Sequence, residues 1–389
     1  MIAPLAALLP LLALTNASPI RRWAYGKYFD LQGHRGGRGE TVEDSLPSFA
    51  RGLVDGVTTL EMDCGLTKDG EVVVWHDESI APEKCRDTAP AFEGDEQFPY
   101  VGQYIANLTL AQIKTLDCGS LRQNDFPLQE VYPGTEIATL QEMFDFVKCA
   151  TDEPVLFNIE SKVDGDFRNL TRSPEDFVAA MGAIFVAQGE DVVDRITHQS
   201  FDWRALIISK RDFPSLRTSA LCDDTTLYKP LSEGQDGNLT THGVGASNWL
   251  AGIDIDSFEG ETVGERVARA AHSIKADFLS PVATSYASPV ADPAMEGWIA
   301  FTNQTMVDTA HSLGLQVKPW TPNRKNLLSY LLQLGVDGLI TDFPYEFRVS
   351  LERAGYKLAP KNDEGRVMSC LAKLNQETKN RLDGWGYEH

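Results

Sequence analysis

Positive charge is in short supply in this chain. Its 389 residues carry 35 Lys and Arg against 56 Asp and Glu, a formal charge of −21. That balance opposes non-specific binding to nucleic acid or to an anionic membrane surface, so neither is expected as a partner. A phosphate group would have to meet a locally positive pocket. Cysteine is also scarce: Cys64, Cys85, Cys118, Cys149, Cys222 and Cys370 form no Cys-x-x-Cys pair. A zinc cluster is therefore not expected, and up to three disulfides are open. Spacing alone does not give their connectivity; Cys85 with Cys118, both in one loop-rich segment, is the pair favoured. No internal repeat or low-complexity tract stands out, and no apolar run after the amino terminus is long enough to span a bilayer.

What is present is the composition of a folded globule, 42% hydrophobic and 23% charged, long enough for one large barrel or two ordinary domains. Residues 1–18 read as a secretory signal in outline. They hold the apolar run from Leu5 to Leu14 and end in the small residues Asn16-Ala17-Ser18, although a basic residue is missing before the run. Pro4 and Pro10 interrupt the segment, which is too short to be a membrane span. The mature protein is thus expected to be secreted and soluble. Asn107, Asn169, Asn238 and Asn303 each open an Asn-x-Thr triplet. They are glycosylation acceptors if the chain enters a eukaryotic secretory pathway.

Short β-rich runs alternate with amphipathic helical stretches. Strands are predicted near residues 29–33, 58–64, 155–160, 195–199, 216–221, 277–280, 316–320 and 338–341, with a side hairpin strand at 71–75. Eight such alternations indicate a (β/α)8 TIM barrel over residues 19–350, with 351–389 left as a charged tail. The helix after the first strand is well marked. Asp44 or Ser45 can cap it, Pro47 suits its first turn, Leu46, Phe49, Ala50, Leu53 and Val54 form one stripe, and Gly56 ends it. Two segments are too long for plain connections: a loop-rich insertion at about 78–138, after the second strand, and the stretch 223–260. Long loops on barrels usually shape the mouth of the site.

The polar residues at the carboxyl ends of these strands carry the chemistry. Glu61 and Asp63 lie two apart on one strand, so both point to the same face while Met62 and Cys64 point away. With Glu160 they make a hard oxygen set suited to one divalent cation, Mg²⁺ or Ca²⁺. His34 and His76 can serve as an acid/base pair near neutral pH. Arg35 and Lys162 can add donors to a phosphate held by the same cation. His198, His242, His272 and His311 are left as structural or surface residues, and Glu43 as a supporting residue rather than a ligand.

These pieces occur in a characteristic order: His34-Arg35-Gly36, Glu61-Met62-Asp63, Thr67-Lys68-Asp69-Gly70, His76-Asp77, Asn158-Ile159-Glu160-Ser161-Lys162, Trp320-Thr321-Pro322-Asn323 and Thr341-Asp342-Phe343-Pro344. The set resembles the glycerophosphodiester phosphodiesterase family from about Leu31 to Phe347. The resemblance implies a metal-dependent hydrolase that cleaves small glycerophosphodiesters, such as glycerophosphocholine, to glycerol 3-phosphate and an alcohol. It implies His34 and His76 as the acid/base pair, Glu61, Asp63 and Glu160 as metal ligands, Arg35 and Lys162 as phosphate contacts, and Trp320 as a pocket wall. Val42-Glu43-Asp44-Ser45 and Pro322 depart from the family's usual residues but keep Glu43 and the capping chemistry. Two alternatives remain: a phospholipase D-like lyase acting on lysolipids or sphingolipids, and a non-catalytic extracellular binding protein on the same barrel.

Overall fold

The computed structural model describes residues 27–233, 239–242 and 244–384. The expected signal segment 1–18 and the Asn238 acceptor lie outside them. In chain order the strands are β1 (Asp30–Gly33), β2 (Thr59–Leu66), β3 (Val72–Val74), β4 (Leu156–Ser161), β5 (Ile196–Ser200), β6 (Arg217–Cys222), β7 (Pro230–Glu233), β8 (Leu239–His242), β9 (Phe278–Pro281), β10 (Gln316–Val317) and β11 (Gly338–Thr341).

Eight of these, in the order β10-β9-β6-β5-β4-β2-β1-β11, form one parallel sheet, and β3 pairs antiparallel on the side of β2. A parallel bridge from Trp320, just beyond β10, to Ile340 of β11 joins the two ends, so the sheet closes into a barrel, while a second bridge from Trp320 to Val282 extends the pairing with β9. The seventh strand is shorter than the predicted 316–320, because beyond Val317 the chain keeps only single bridges and backbone bonds such as Ile340 N–H to the Pro319 carbonyl.

Each strand alternates its faces, and the outward side chains pack beneath the helices. Leu60, Met62, Cys64, Phe157 and Ile159 join Phe49, Leu53, Met143, Phe146 and Phe177 in one buried cluster; Ala220, Leu279 and Val317 join Trp203, Val267, Met306 and Leu331 in another. Inside the barrel the chain is polar. Asn158 donates to Gln32 and Gln199, and Lys318 pairs with Asp30 at 2.8 Å.

The helix Leu46–Asp55 follows its sequence signals closely. Ser45 accepts the Ser48 N–H in a reciprocal capping box, proline stands in the first turn, and Gly56 takes the left-handed conformation at φ 77°. The insertion holds only one short α-helix, Leu110–Ile113. It has an apolar cluster of its own, including Trp75, Ile80, Tyr100, Ile105 and Leu116, and the expected Cys85–Cys118 disulfide lies within it. A second disulfide, Cys149–Cys370, ties the helix Leu140–Ala150 to the helix Glu364–Gly384, whose Val367 and Leu371 are buried against the barrel. The charged tail thus carries a helix packed through its described side chains, and of the three disulfides left open two form, with Cys64 and Cys222 buried as free thiols.

Candidate active site

The site begins on β2 and β4. Their parallel register sets Glu61 beside Asn158 and Asp63 beside Glu160, so three carboxylates meet at the carboxyl end of the barrel. One oxygen from each lies within 4.8 Å of the others, and all three residues are at least 95% buried. Buried acids this close repel one another unless a cation or a proton intervenes. Asp63 Oδ2 makes no aligned hydrogen bond and is engaged only by the charge of Arg35, whose Nε lies 3.0 Å away. The donor set is all oxygen and suits a hard divalent cation.

After β1 the chain makes a tight turn at His34–Gly36 that aims its groups at these acids. Arg35 adopts φ 52°, and its backbone N–H donates to Glu61 Oε2 at 2.7 Å. The other Glu61 oxygen accepts from Gln199 at 2.6 Å. Gly36 must be glycine: at φ 85° a Cβ would meet Ser48 Oγ at 2.4 Å.

Both candidate histidines are held through Nδ1, which leaves Nε2 of each ring free of a protein partner among the hydrogen bonds seen. His34 pairs with Asp342 at 2.5 Å, and Asp342 also accepts from Arg38 at 2.8 Å and Asn323 at 2.6 Å. His76 pairs with Asp77 at 2.7 Å. Arg35 reaches Glu43 at 2.8 Å and Asp63 at 3.0 Å, and Lys162 reaches Glu160 at 2.8 Å.

Burial dominates the electrostatics. It lowers the pKa of both histidines, more strongly for His76, where Arg35 and Lys162 add to it; at His34 the charge of Asp342 opposes it. Burial raises Glu61, with the negative charge of Asp63 adding to it, and pushes Glu160 up to about 8 even though Lys162 pulls the other way. Asp63 is also buried, but His76, Arg35 and Lys162 outweigh that and hold it below the usual carboxylate range.

Seven of the eight site residues expected from the sequence thus meet at the carboxyl end of the barrel, and the eighth, Trp320, stands on its rim. Trp320 is half-buried, donates its indole N–H to the Ser280 carbonyl at 3.0 Å and meets Phe201 edge-to-face at 5.3 Å. His198 is fully engaged between Ser161 and Ser209, a structural role. Asn107 and Asn169 are exposed, whereas Asn303 is half-buried and caps the helix Gln304–Ser312 by accepting the Met306 N–H. Sequence reading assigned no role to Arg38, Lys84 or Gln199, which no local pattern distinguishes. Asp77, Asn323 and Asp342 stood inside quoted motifs, and that was their only signal.

The profile of the glycerophosphoryl diester phosphodiesterase family matches residues 34–346. A glycerophosphodiester phosphodiesterase of Caldanaerobacter subterraneus is 25% identical over 324 residues, 83% of this chain and 97% of the relative. A crystal structure from Silicibacter pomeroyi, assigned as a glycerophosphoryl diester phosphodiesterase, superposes with a TM-score of 0.64 at 25% identity, covering 87% of this chain and 99% of the other. An Oleispira antarctica phosphodiesterase in complex with the product sn-glycerol-3-phosphate shares the fold with a TM-score of 0.55 at 17% identity, over 84% of this chain and 97% of its own.

Proposed function

Because this chain belongs to the glycerophosphoryl diester phosphodiesterase family and is an enzyme of that class, we propose that it hydrolyses small glycerophosphodiesters to glycerol 3-phosphate and an alcohol by two-histidine catalysis at a divalent-cation site. The observation that carries this reading is the meeting of Glu61, Asp63 and Glu160 within 4.8 Å, beside a buried imidazole and two cationic side chains.

A bound Mg²⁺ or Ca²⁺, held by those three carboxylates, would neutralise charge that grows on the phosphate in the transition state. Arg35 and Lys162 orient the same phosphate by charge-assisted hydrogen bonds. His76, the more strongly depressed of the two, is neutral at pH 7 and suits the base. It takes the proton of the substrate's glycerol hydroxyl as that oxygen attacks phosphorus. His34, whose ring is supported by Asp342, suits the acid and gives its proton to the departing alcohol oxygen. The roles then reverse: His34 takes a proton from water as it opens the cyclic phosphate, and His76 returns one to the glycerol oxygen. Trp320 and Phe201 form an apolar wall for the substrate.

Secretion is part of the same proposal and rests on residues 1–18, with exposed Asn107 and Asn169 as the acceptors best placed for a glycan. The deciding experiment assays choline release from glycerophosphocholine beside lysophosphatidylcholine, with EDTA and then with each cation restored. Turnover of glycerophosphocholine that EDTA abolishes and Mg²⁺ or Ca²⁺ restores is expected. Cleavage of the lysolipid alone would favour the lyase alternative, and no turnover of either would favour a binding protein.

A further inference from the structure

Lys84 belongs to the insertion and to none of the motifs, yet it reaches the site. Its neighbour Cys85 is bonded to Cys118, and Trp75 lies beneath its ammonium at 5.5 Å, so the residue stands on a fixed base. Lys84 Nζ is 2.5 Å from Asp77 Oδ2 and 2.8 Å from Glu43 Oε1. Each of those carboxylates holds a site residue in turn. Asp77 Oδ1 meets His76 Nδ1 at 2.7 Å, and Glu43 Oε1 meets the Arg35 guanidinium at 2.8 Å. A chain of alternating charge therefore runs from His76 through Asp77, Lys84, Glu43 and Arg35 to Asp63.

We propose that Lys84 is a positioning residue for this enzyme, orienting His76 through Asp77 and, more weakly, Arg35 through Glu43; the proposal rests on the two-histidine reading above.

An exposed lysine pair would contribute little, but here the Lys84 side chain is 12% exposed and that of Glu43 only 3%. The two ends respond differently to its removal. Glu43 keeps Arg35 and Arg38 as partners, so the arginine end holds. Asp77 is 26% exposed and keeps only His76 among the contacts seen, so without the ammonium its carboxylate is free to turn to water and release the imidazole. Loss of Lys84 should consequently lower kcat more than it raises KM. Supporting residues of this kind typically matter by roughly 10- to 100-fold.

The test uses the full-length enzyme as Lys84→Met, Lys84→Arg, Asp77→Asn and the Lys84→Met/Asp77→Asn double variant, with kcat, KM and thermal midpoint measured for each. Expected are a kcat loss of about tenfold or more in Lys84→Met with KM within about threefold, recovery in Lys84→Arg, and a double variant no worse than Asp77→Asn. A folded Lys84→Met with wild-type kcat, or losses that simply multiply in the double variant, overturns the proposal. If Lys84→Met does not fold, Asp77→Asn carries the test: wild-type kcat there overturns it. A wild-type enzyme inert on every diester would instead sink the functional reading. The link can still be judged in that case from the low-field Nδ1 proton resonance of His76, assigned by its loss in His76→Ala. That resonance must move in Lys84→Met, and an unmoved one overturns the proposal.

Discussion

At the scale of single residues, placement separates roles that composition could not. His34 and His76 are both held at Nδ1 by a carboxylate, while His198 spends both ring nitrogens on serines. His34→Ala and His76→Ala are each expected to reduce kcat by about 10²- to 10⁴-fold with the thermal midpoint little changed, as measured by glycerol 3-phosphate release. Wild-type turnover in either variant would remove that residue from the mechanism. Glu160 supplies a prediction in pH. Its carboxyl is raised to about 8 when folded, so the stability it contributes is present below its unfolded value and lost as pH rises through about 8. Glu61 is raised as well, and both histidines, lowered from 6.5, add nothing further above that pH. In EDTA the thermal midpoint should therefore fall between about pH 6.5 and 8, and added Mg²⁺ or Ca²⁺ should raise it most at the upper end. A midpoint that is flat in EDTA and insensitive to cation would contradict a metal site at these acids.

At the scale of elements, the turn between β1 and the helix Leu46–Asp55 delivers His34 and Arg35. Ser48 Oγ, in the first turn of that helix, donates to the Arg35 carbonyl at 2.9 Å, and the close approach is possible because Gly36 lacks a side chain. Gly36→Ala is expected to cost on the order of 1–3 kcal/mol in urea unfolding, and to cut activity in the fraction that remains folded, because both the strained φ and the contact with Ser48 push the turn outward. Stability and activity both at wild-type level would show that the turn tolerates displacement. Elements with strong local signals were legible beforehand. The eight barrel strands stand where their apolar runs lie, and Ser45, Pro47 and Gly56 mark the helix because capping and left-handed termination are local chemistry. The insertion was legible only as a length. Its order comes from Trp75, Ile80, Tyr100, Ile105 and the Cys85–Cys118 bond, contacts without a period along the chain.

At the scale of the whole molecule, the Cys149–Cys370 bond joins positions 221 residues apart and holds the last helix against the barrel, far along the chain from the histidines. Cys149→Ser/Cys370→Ser is expected to lose roughly 2–4 kcal/mol of stability in urea while kcat stays unchanged. A matching loss of kcat would mean that the tail supports the site. The parallel barrel, the shared face of Glu61 and Asp63, and the gathering of site residues at strand ends were determined by the sequence alone, since the two-residue strand period and strand-helix alternation are set by neighbours a few positions away. That Cys149 pairs with Cys370, that Arg38 and Asn323 brace Asp342, and that Lys84 links His76 to Arg35 were decided only by tertiary structure. Those contacts join segments whose separation along the chain says nothing of their distance in space, and only the folded barrel, with its insertion and last described helix packed on it, brings them together.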